Sequence, residues 1–142
     1  MTKVDQIDED AALARPDGFT PLSAEDEFAR LLLRPHFAVT CETLVLAGFD
    51  AIERLTAVQP IEATGADRCR IAPHRWRAVL TAGTQHVLIA HNHPSGEARP
   101  SRADLDFTRK AADFLANLGV DLIDHLIFVD TGYFSFRRAG LL

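Results

Sequence analysis

The spacing of apolar and polar positions along the chain predicts strands that alternate with helices. Two apolar runs, 43–49 (TLVLAGF) and 86–90 (HVLIA), are typical of buried strands. A polar turn separates the first run from another extended stretch, Leu55 to Ile61, and this arrangement predicts a hairpin. Further strands are predicted at Cys69–Ala72, 120–130 and 133–136.

A helix start signal lies upstream of the first strand. Ser23 precedes the acidic and apolar sequence AEDEFARLLL, and Ser is a preferred N-cap residue. We expect a helix from Ser23 with Phe28, Leu31 and Leu32 on its apolar side.

Two more helices are predicted between the later strands. One covers 73–83, because Pro is favoured in the first turn and Gly just after a helix end. The other covers 101–118 and is closed by a glycine. Strands that alternate with helices predict a layered α/β domain, a mixed β-sheet flanked by helices. We expect 1–22 to be a flexible N-terminal lead-in and 23–142 to be a single domain.

Composition and charge narrow the class of protein. The 142 residues fit one domain, since domains typically have ~100–200 residues. Fifteen basic and twenty acidic residues give a net charge of −5, which argues against tight nucleic-acid binding. Cys41 and Cys69 form no C-x-x-C pair and fit buried free thiols in a reducing compartment. No apolar run is long enough to span a membrane, and the acidic start does not resemble a signal peptide, so we expect a soluble, cytoplasmic protein.

The segment HNHPSGEARPSRAD, residues 91–104, carries the candidate chemistry. It joins a predicted buried strand to a predicted helix, a usual place for ligand sites in α/β sheets. His91 and His93 are two residues apart, so in an extended backbone they point to the same side. With Asp104 they would supply the three ligands of a catalytic zinc site, in which a fourth position stays open.

The same residues also allow a site without metal. Ser101 and Asp104 have the spacing of a helix capping box, and loop histidines are often only solvated. Helical geometry favours the metal, because Asp104 lies at the head of the apolar stripe formed by Phe107, Ala111, Leu115 and Leu118. A carboxylate at such a position is expected to have a cationic partner.

The order H-x-H, seven residues, S, two residues, D resembles the motif of JAMM (MPN-type) metalloproteases. The sequences HNHPSG, LIDHLIF and GYFSFRRAGLL further resemble the RadC-like branch of that superfamily, and the resemblance covers about residues 37–142. It implies a JAB/MPN fold, which is related in architecture to the cytidine deaminases. It also implies that His91, His93 and Asp104 bind one zinc ion per chain, and that Ser101 donates a hydrogen bond to the oxyanion formed on a peptide or isopeptide substrate.

JAMM enzymes also use an upstream glutamate as the general base. When the RadC-like pattern is run without gaps from Phe49 to Pro73, Gln59 falls at this position, and Gln cannot accept a proton from water at neutral pH. Glu62 is the nearest carboxylate. Its odd offset places it on the other strand face unless a β-bulge at Pro60 restores the alternation.

Three functions therefore compete at the level of sequence. The first is a zinc-dependent hydrolase of amide or isopeptide bonds that uses Ser101 and Glu62. The second is a degenerate zinc-binding JAMM module that serves binding or assembly, which Gln59 favours. The third and weakest is a DNA-repair role. RadC-like proteins usually carry an N-terminal helical domain, for which we expect the residues before the core to be too few.

His125 in LIDHLIF is typical of the RadC-like branch. We expect it to be a hydrogen-bonded histidine of the core, and contact with a metal ligand is the alternative.

Overall fold

The computed structural model describes residues 18–38, 40–62 and 71–142, with Glu62 described by its backbone alone. Six strands within these ranges form one mixed sheet in the order β1-β6-β5-β4-β2-β3. The strands are β1 (Phe19–Pro21), β2 (Thr43–Phe49), β3 (Leu55–Glu62), β4 (His86–Asn92), β5 (Asp121–Val129) and β6 (Gly132–Ser135).

The centre of the sheet is the parallel pair β4 and β5, whereas the neighbouring strands pair antiparallel. Parallel neighbours need a crossover connection, which the helix α2 (Arg102–Asn117) supplies. The loop 93–101 therefore leaves the carboxyl end of a central strand and enters the start of α2. This is the place that the sequence predicted for the site.

Helical elements cover both faces of the sheet. The helix α1 (Pro73–Val79) and α2 pack on one face, and a helical segment at Phe28–Leu33 packs on the other. The predicted α/β fold, a mixed sheet flanked by helices, is confirmed. The side chains that form the core of the first face include Leu44, Leu46, Trp76, Val79, Val87, Ile89, Ala111 and Leu115.

The fold begins before the predicted boundary. The prediction of a lead-in over 1–22 is wrong at its end, because residues 19–21 form β1 and pair with β6. The pairing is close: a Cβ on Gly132 would lie 2.1 Å from the carbonyl oxygen of Thr20, so only glycine fits there. The rest of the predicted lead-in, 1–17, lies outside the described residues.

The first helix also differs from its prediction. Ser23 lies in a short 3₁₀ turn, and it is Asp26 whose Oδ1 accepts a hydrogen bond from the backbone N–H of Ala29, at 2.8 Å. Residues 28–33 then wind as a π-helix. Hydrogen bonds from i to i+5 widen the turn, so side chains face other directions than in an α-helix.

This winding changes which leucines are buried. Ala29 and Leu33 are 2% and 0% exposed, whereas Leu31 and Leu32 are 60% and 42% exposed. The predicted apolar side is therefore wrong for Leu31 and Leu32.

Alanine substitutions at Leu31 and Leu33 test which of the two leucines is buried. Leu33→Ala should lower the free energy of unfolding by ~2–5 kcal/mol, because it leaves a cavity in the core. Leu31→Ala should change it by less than ~0.5 kcal/mol, since that side chain is mostly in water. Urea unfolding followed by circular dichroism measures both, and equal losses would contradict the winding of this segment.

Two smaller predictions also need correction. Of the strand predicted at 69–72, residues 69–70 lie outside the described ranges, and Ala72 is the N-cap of α1. The helix predicted over 73–83 ends at Val79. The Val79 carbonyl accepts a hydrogen bond from the Thr84 hydroxyl at 2.9 Å instead of one from a further helical turn.

Candidate metal centre

The end of β4 and the start of α2 bring together the three predicted ligands. His91 lies in β4 opposite Leu44 of β2, and His93 follows the strand, with its backbone N–H bonded to the Phe128 carbonyl. Asp104 is in the first turn of α2. The Nε2 atoms of the two histidines are 3.0 Å apart, and the Asp104 carboxylate oxygens lie 3.4 Å from His91 Nε2 and 3.2 Å from His93 Nε2.

The tautomer of His91 follows from a chain of hydrogen bonds behind it. The Thr108 hydroxyl donates to the Asp104 carbonyl at 2.7 Å, so its oxygen accepts from His125 Nδ1 at 2.6 Å. His125 Nε2 must then accept from His91 Nδ1, at 2.7 Å. A neutral His91 with its proton on Nδ1 has a lone pair on Nε2, directed toward Asp104.

The tautomer of His93 is fixed in the same way. Its Nδ1 lies 2.8 Å from the Glu97 carbonyl, which can only accept, so Nδ1 carries the proton. The intervening turn needs Gly96, which has a φ of +88°. In its neutral form, His93 also presents a lone pair on Nε2.

The Asp104 carboxylate stays ionised beside the two histidines. Burial raises the pKa of Asp104, but hydrogen bonds from His91 and His93 outweigh it and hold that pKa far below its usual range. Burial lowers the pKa of His93, yet its hydrogen bond to Asp104 raises it above the ordinary value overall. Complete burial and the charge of His91 lower the pKa of His125, which is therefore neutral.

When both histidines are neutral, their two lone pairs and the Asp104 carboxylate face one another with no proton between them, and such a set fits a metal ion. At separations of 3.0–3.4 Å the three groups are held together either by protons on the histidines or by a cation in their place. Nitrogen and oxygen ligands of tetrahedral zinc lie ~2.0–2.2 Å from the ion, and hence ~3.3 Å from one another. The described residues contain this one group of His, Cys, Asp or Glu side chains that could hold a metal.

The capping box predicted as the alternative is also present. The backbone N–H of Asp104 donates to Ser101 Oγ at 3.0 Å, and the backbone N–H of Ser101 donates to Asp104 Oδ2 at 2.8 Å. The two interpretations are therefore compatible, because the cap orients the carboxylate that faces the histidines. The predicted apolar stripe below Asp104 is wrong at Leu118, because that side chain is 54% exposed.

A cavity of about 120 Å³ opens beside the three ligands. Glu42, immediately before β2, is part of its wall, and its negative charge contributes to the raised pKa of His93. Ser101 also lines it. The sequence interpretation missed Glu42. The structure places Glu42 there through the antiparallel pairing of β2 with β4, which brings the start of β2 beside the end of β4.

The residues predicted near the general base lie elsewhere on β3. Gln59 pairs with Leu46, donates to the Pro60 carbonyl at 3.1 Å and is not among the residues that line the cavity. The bulge expected at Pro60 is absent, since the register between β2 and β3 shifts at Gly48 and Phe49 instead. The backbone of Glu62 pairs with Thr43, while its side chain lies outside the described part of the chain, so its role stays a prediction.

His125 combines both roles considered for it. It is 0% exposed and stacks on Phe136 with ring centroids 4.5 Å apart, as a core histidine would. It also accepts the hydrogen bond from His91 Nδ1 that fixes the tautomer of His91. Both the core interpretation and the contact with a candidate ligand therefore hold.

Replacement of His125 should weaken metal binding. His125→Phe keeps the stack on Phe136 but removes the acceptor for His91 Nδ1, and loss of such a partner typically costs ~10–100-fold in metal affinity. Thr108→Val, which breaks the chain one link further out, should cost less. Competition with a chromophoric chelator measures zinc affinity, and a folded His125→Phe with unchanged affinity would contradict the assigned tautomer.

The fold and this site define an α/β domain with a candidate His-His-Asp metal centre. The chain belongs to the RadC-like JAB domain family, whose model matches residues 22–141. The resemblance inferred from the motif is thereby confirmed.

Relatives in several bacteria share this similarity. A UPF0758 protein of Burkholderia thailandensis is 37% identical over 120 residues, which is 82% of this chain and 44% of that protein. UPF0758 proteins of Aquifex aeolicus and Clostridium perfringens are 50% identical over 56 residues and 27% identical over 122 residues, covering 39% and 85% of this chain. The chain spans between 24% and 54% of the length of these three relatives.

Proposed function

We propose that this chain is a zinc-dependent metallopeptidase of the JAMM type that hydrolyses an amide or isopeptide bond. The observation that carries the proposal is the shared cavity. It is lined by the Glu42 carboxylate, which can accept a proton, by the Ser101 hydroxyl, which can donate a hydrogen bond, and by the three candidate ligand side chains. Hydrolysis of an amide bond uses all of these functions together.

His91, His93 and Asp104 would hold the ion. A zinc ion held by these residues would lower the pKa of water to ~7 and would polarise the substrate carbonyl. The hydrogen bonds to His125, Glu97 and Ser101 keep the three ligand side chains in place before any substrate arrives.

Glu42 acts as the general base. Its carboxylate takes a proton from the attacking water as the new C–O bond forms at the carbonyl carbon. It returns a proton to the amine nitrogen as the C–N bond breaks. With Glu42 in this role, Gln59 no longer favours a degenerate module.

Ser101 stabilises the developing oxyanion. Its Oγ accepts the backbone N–H of Asp104 through a lone pair, and this leaves the hydroxyl proton able to donate. A donor at the start of a helix is well suited to negative charge, because the helix dipole has its positive end there.

The proposed chemistry implies a class of substrate. We propose a peptide or isopeptide-linked protein as the substrate and the cytoplasm as the place of action. Among the described residues, no helix combines the length and apolar character needed to cross a bilayer.

The test is turnover by the zinc-loaded chain. We expect cleavage of some members of a library of internally quenched peptides, which includes peptides joined through a lysine side chain. Dipicolinate should stop cleavage and added zinc should restore it. If the purified chain holds zinc but cleaves no member, the zinc-binding module without catalysis is supported instead. Absence of metal from protein purified without chelator contradicts both.

A further inference from the structure

Asn92 lies between the two candidate ligand histidines and faces away from them. Successive side chains of a strand point to opposite faces, so Asn92 projects from β4 on the side opposite His91. The residue is 5% exposed. An amide buried at this depth needs partners for both its oxygen and its nitrogen.

Its hydrogen-bond partners lie just before β2 and at the first residue of that strand. Asn92 Oδ1 accepts from the backbone N–H of Thr43 at 2.7 Å, and Nδ2 donates to the carbonyls of Ala38 and Cys41, each at 2.9 Å. The paired residues of β2 and β4 extend only to Leu44 and His91. Beyond that pair, the side chain of Asn92 joins the two strands.

These bonds bracket Glu42. One holds the carbonyl of Cys41, directly before it, and another holds the N–H of Thr43, directly after it. Both peptide groups that flank Glu42 are therefore tied to the strand that carries the metal ligands. This set of bonds needs one acceptor atom and two donor hydrogens on the same side chain. Ionised Asp has no donor and Ser has only one donor hydrogen, so neither can replace Asn there.

We propose that Asn92 is a positioning residue that places the Glu42 carboxylate relative to His91 and His93. This inference rests on the proposed function, in which Glu42 is the base. Asn92 thus links the ligand strand to the proton acceptor, although it touches neither metal nor substrate. Misplacement of a reacting group by ~1 Å can cost ~10²-fold in rate.

Asn92→Asp in the zinc-loaded full chain tests the proposal. The carboxylate can still accept from Thr43 but opposes the two carbonyls. On the quenched peptide that the wild type cleaves best, we expect kcat to fall by ~10²-fold, while KM and zinc affinity change little. The double variant Asn92→Asp/Glu42→Gln should be no slower than Glu42→Gln alone, because both changes remove the same function.

Thr84→Val is the matched control. Thr84 is 5% exposed and hydrogen bonded, but it precedes the opposite end of β4 and should leave kcat unchanged when mutated. Asn92→Ser replaces Asn92→Asp if the buried charge prevents folding. Multiplicative effects in the double variant, or a loss of zinc affinity that accounts for the loss of kcat, would overturn the proposal.

A second measurement needs no substrate. Amide hydrogen exchange over residues 40–43 of the zinc-loaded Asn92→Asp chain should be ~10-fold faster than in wild type, with β5 unaffected. Unchanged exchange there would refute the positioning role. If the wild type cleaves nothing, the proposed hydrolase function is rejected. Faster exchange in Asn92→Asp would still support Asn92 as the anchor of residues 40–43.

Discussion

Glu42→Gln should lower kcat for peptide hydrolysis by ~10²–10⁴-fold, because general-base catalysis contributes that much. Gln has the same size and can hydrogen bond to water but cannot accept its proton at neutral pH. Zinc affinity should stay close to that of wild type, since Glu42 is not one of the three ligand side chains that face one another. Initial rates on a quenched peptide, together with metal analysis, separate the two effects.

Two substitutions on β3 serve as controls for Glu42→Gln. Glu62→Gln and Gln59→Glu alter the residues that the sequence placed near the base. We expect neither to change kcat by more than about threefold, which is small beside the loss from Glu42→Gln. A larger loss in Glu62→Gln than in Glu42→Gln would assign the base to Glu62. A gain of activity in Gln59→Glu, from an inert wild type, would support the degenerate module.

His93→Ala should remove the metal and, with it, all measurable hydrolysis. Only two ligand side chains remain, whereas catalytic zinc sites generally need three from the protein. Zinc content measured by mass spectrometry should fall from about one equivalent per chain to almost none. The side chain is near the surface of the site, 14% exposed, so the fold should survive.

His86→Ala is the control for His93→Ala, because it removes a histidine from the opposite end of the same strand. It should retain zinc and activity. A His93→Ala protein that keeps a full equivalent of zinc would show that the metal binds elsewhere and would overturn the assigned ligand set.

Local patterns were sufficient to predict the central elements. The strand 43–49 was predicted with its observed bounds, and α2 was predicted within one residue at each end. Both have a strong local signal, an apolar run in one case and a capping box with a closing glycine in the other. The spacing of His91, His93 and Asp104 is also local, since one strand, one loop and one helix start hold all three.

The parts that were missed depend on contacts between distant segments. Glu42 is placed by the register of β2 against β4, and no nearby spacing encodes that register. The RadC-like pattern, followed without gaps from Phe49, reached Gln59 instead. Gln59 pairs with Leu46, and Leu46 pairs with Ile89, which lies two residues before His91 on β4. The exposure of Leu31 was missed because a π-helical turn cannot be inferred from a pattern with a 3.6-residue period.

The assembly of the site from separate elements affects the order of folding. Glu42, His91, Asp104 and His125 belong to four segments that meet only when the central strands have paired and α2 has docked. Contacts between residues distant in sequence form slowly and late. The three candidate ligands are close in sequence, but Glu42 and His125 join them only in the folded sheet, so the complete site requires the folded chain. On the proposed function, the supply of zinc would then switch folded chains on or off without new synthesis.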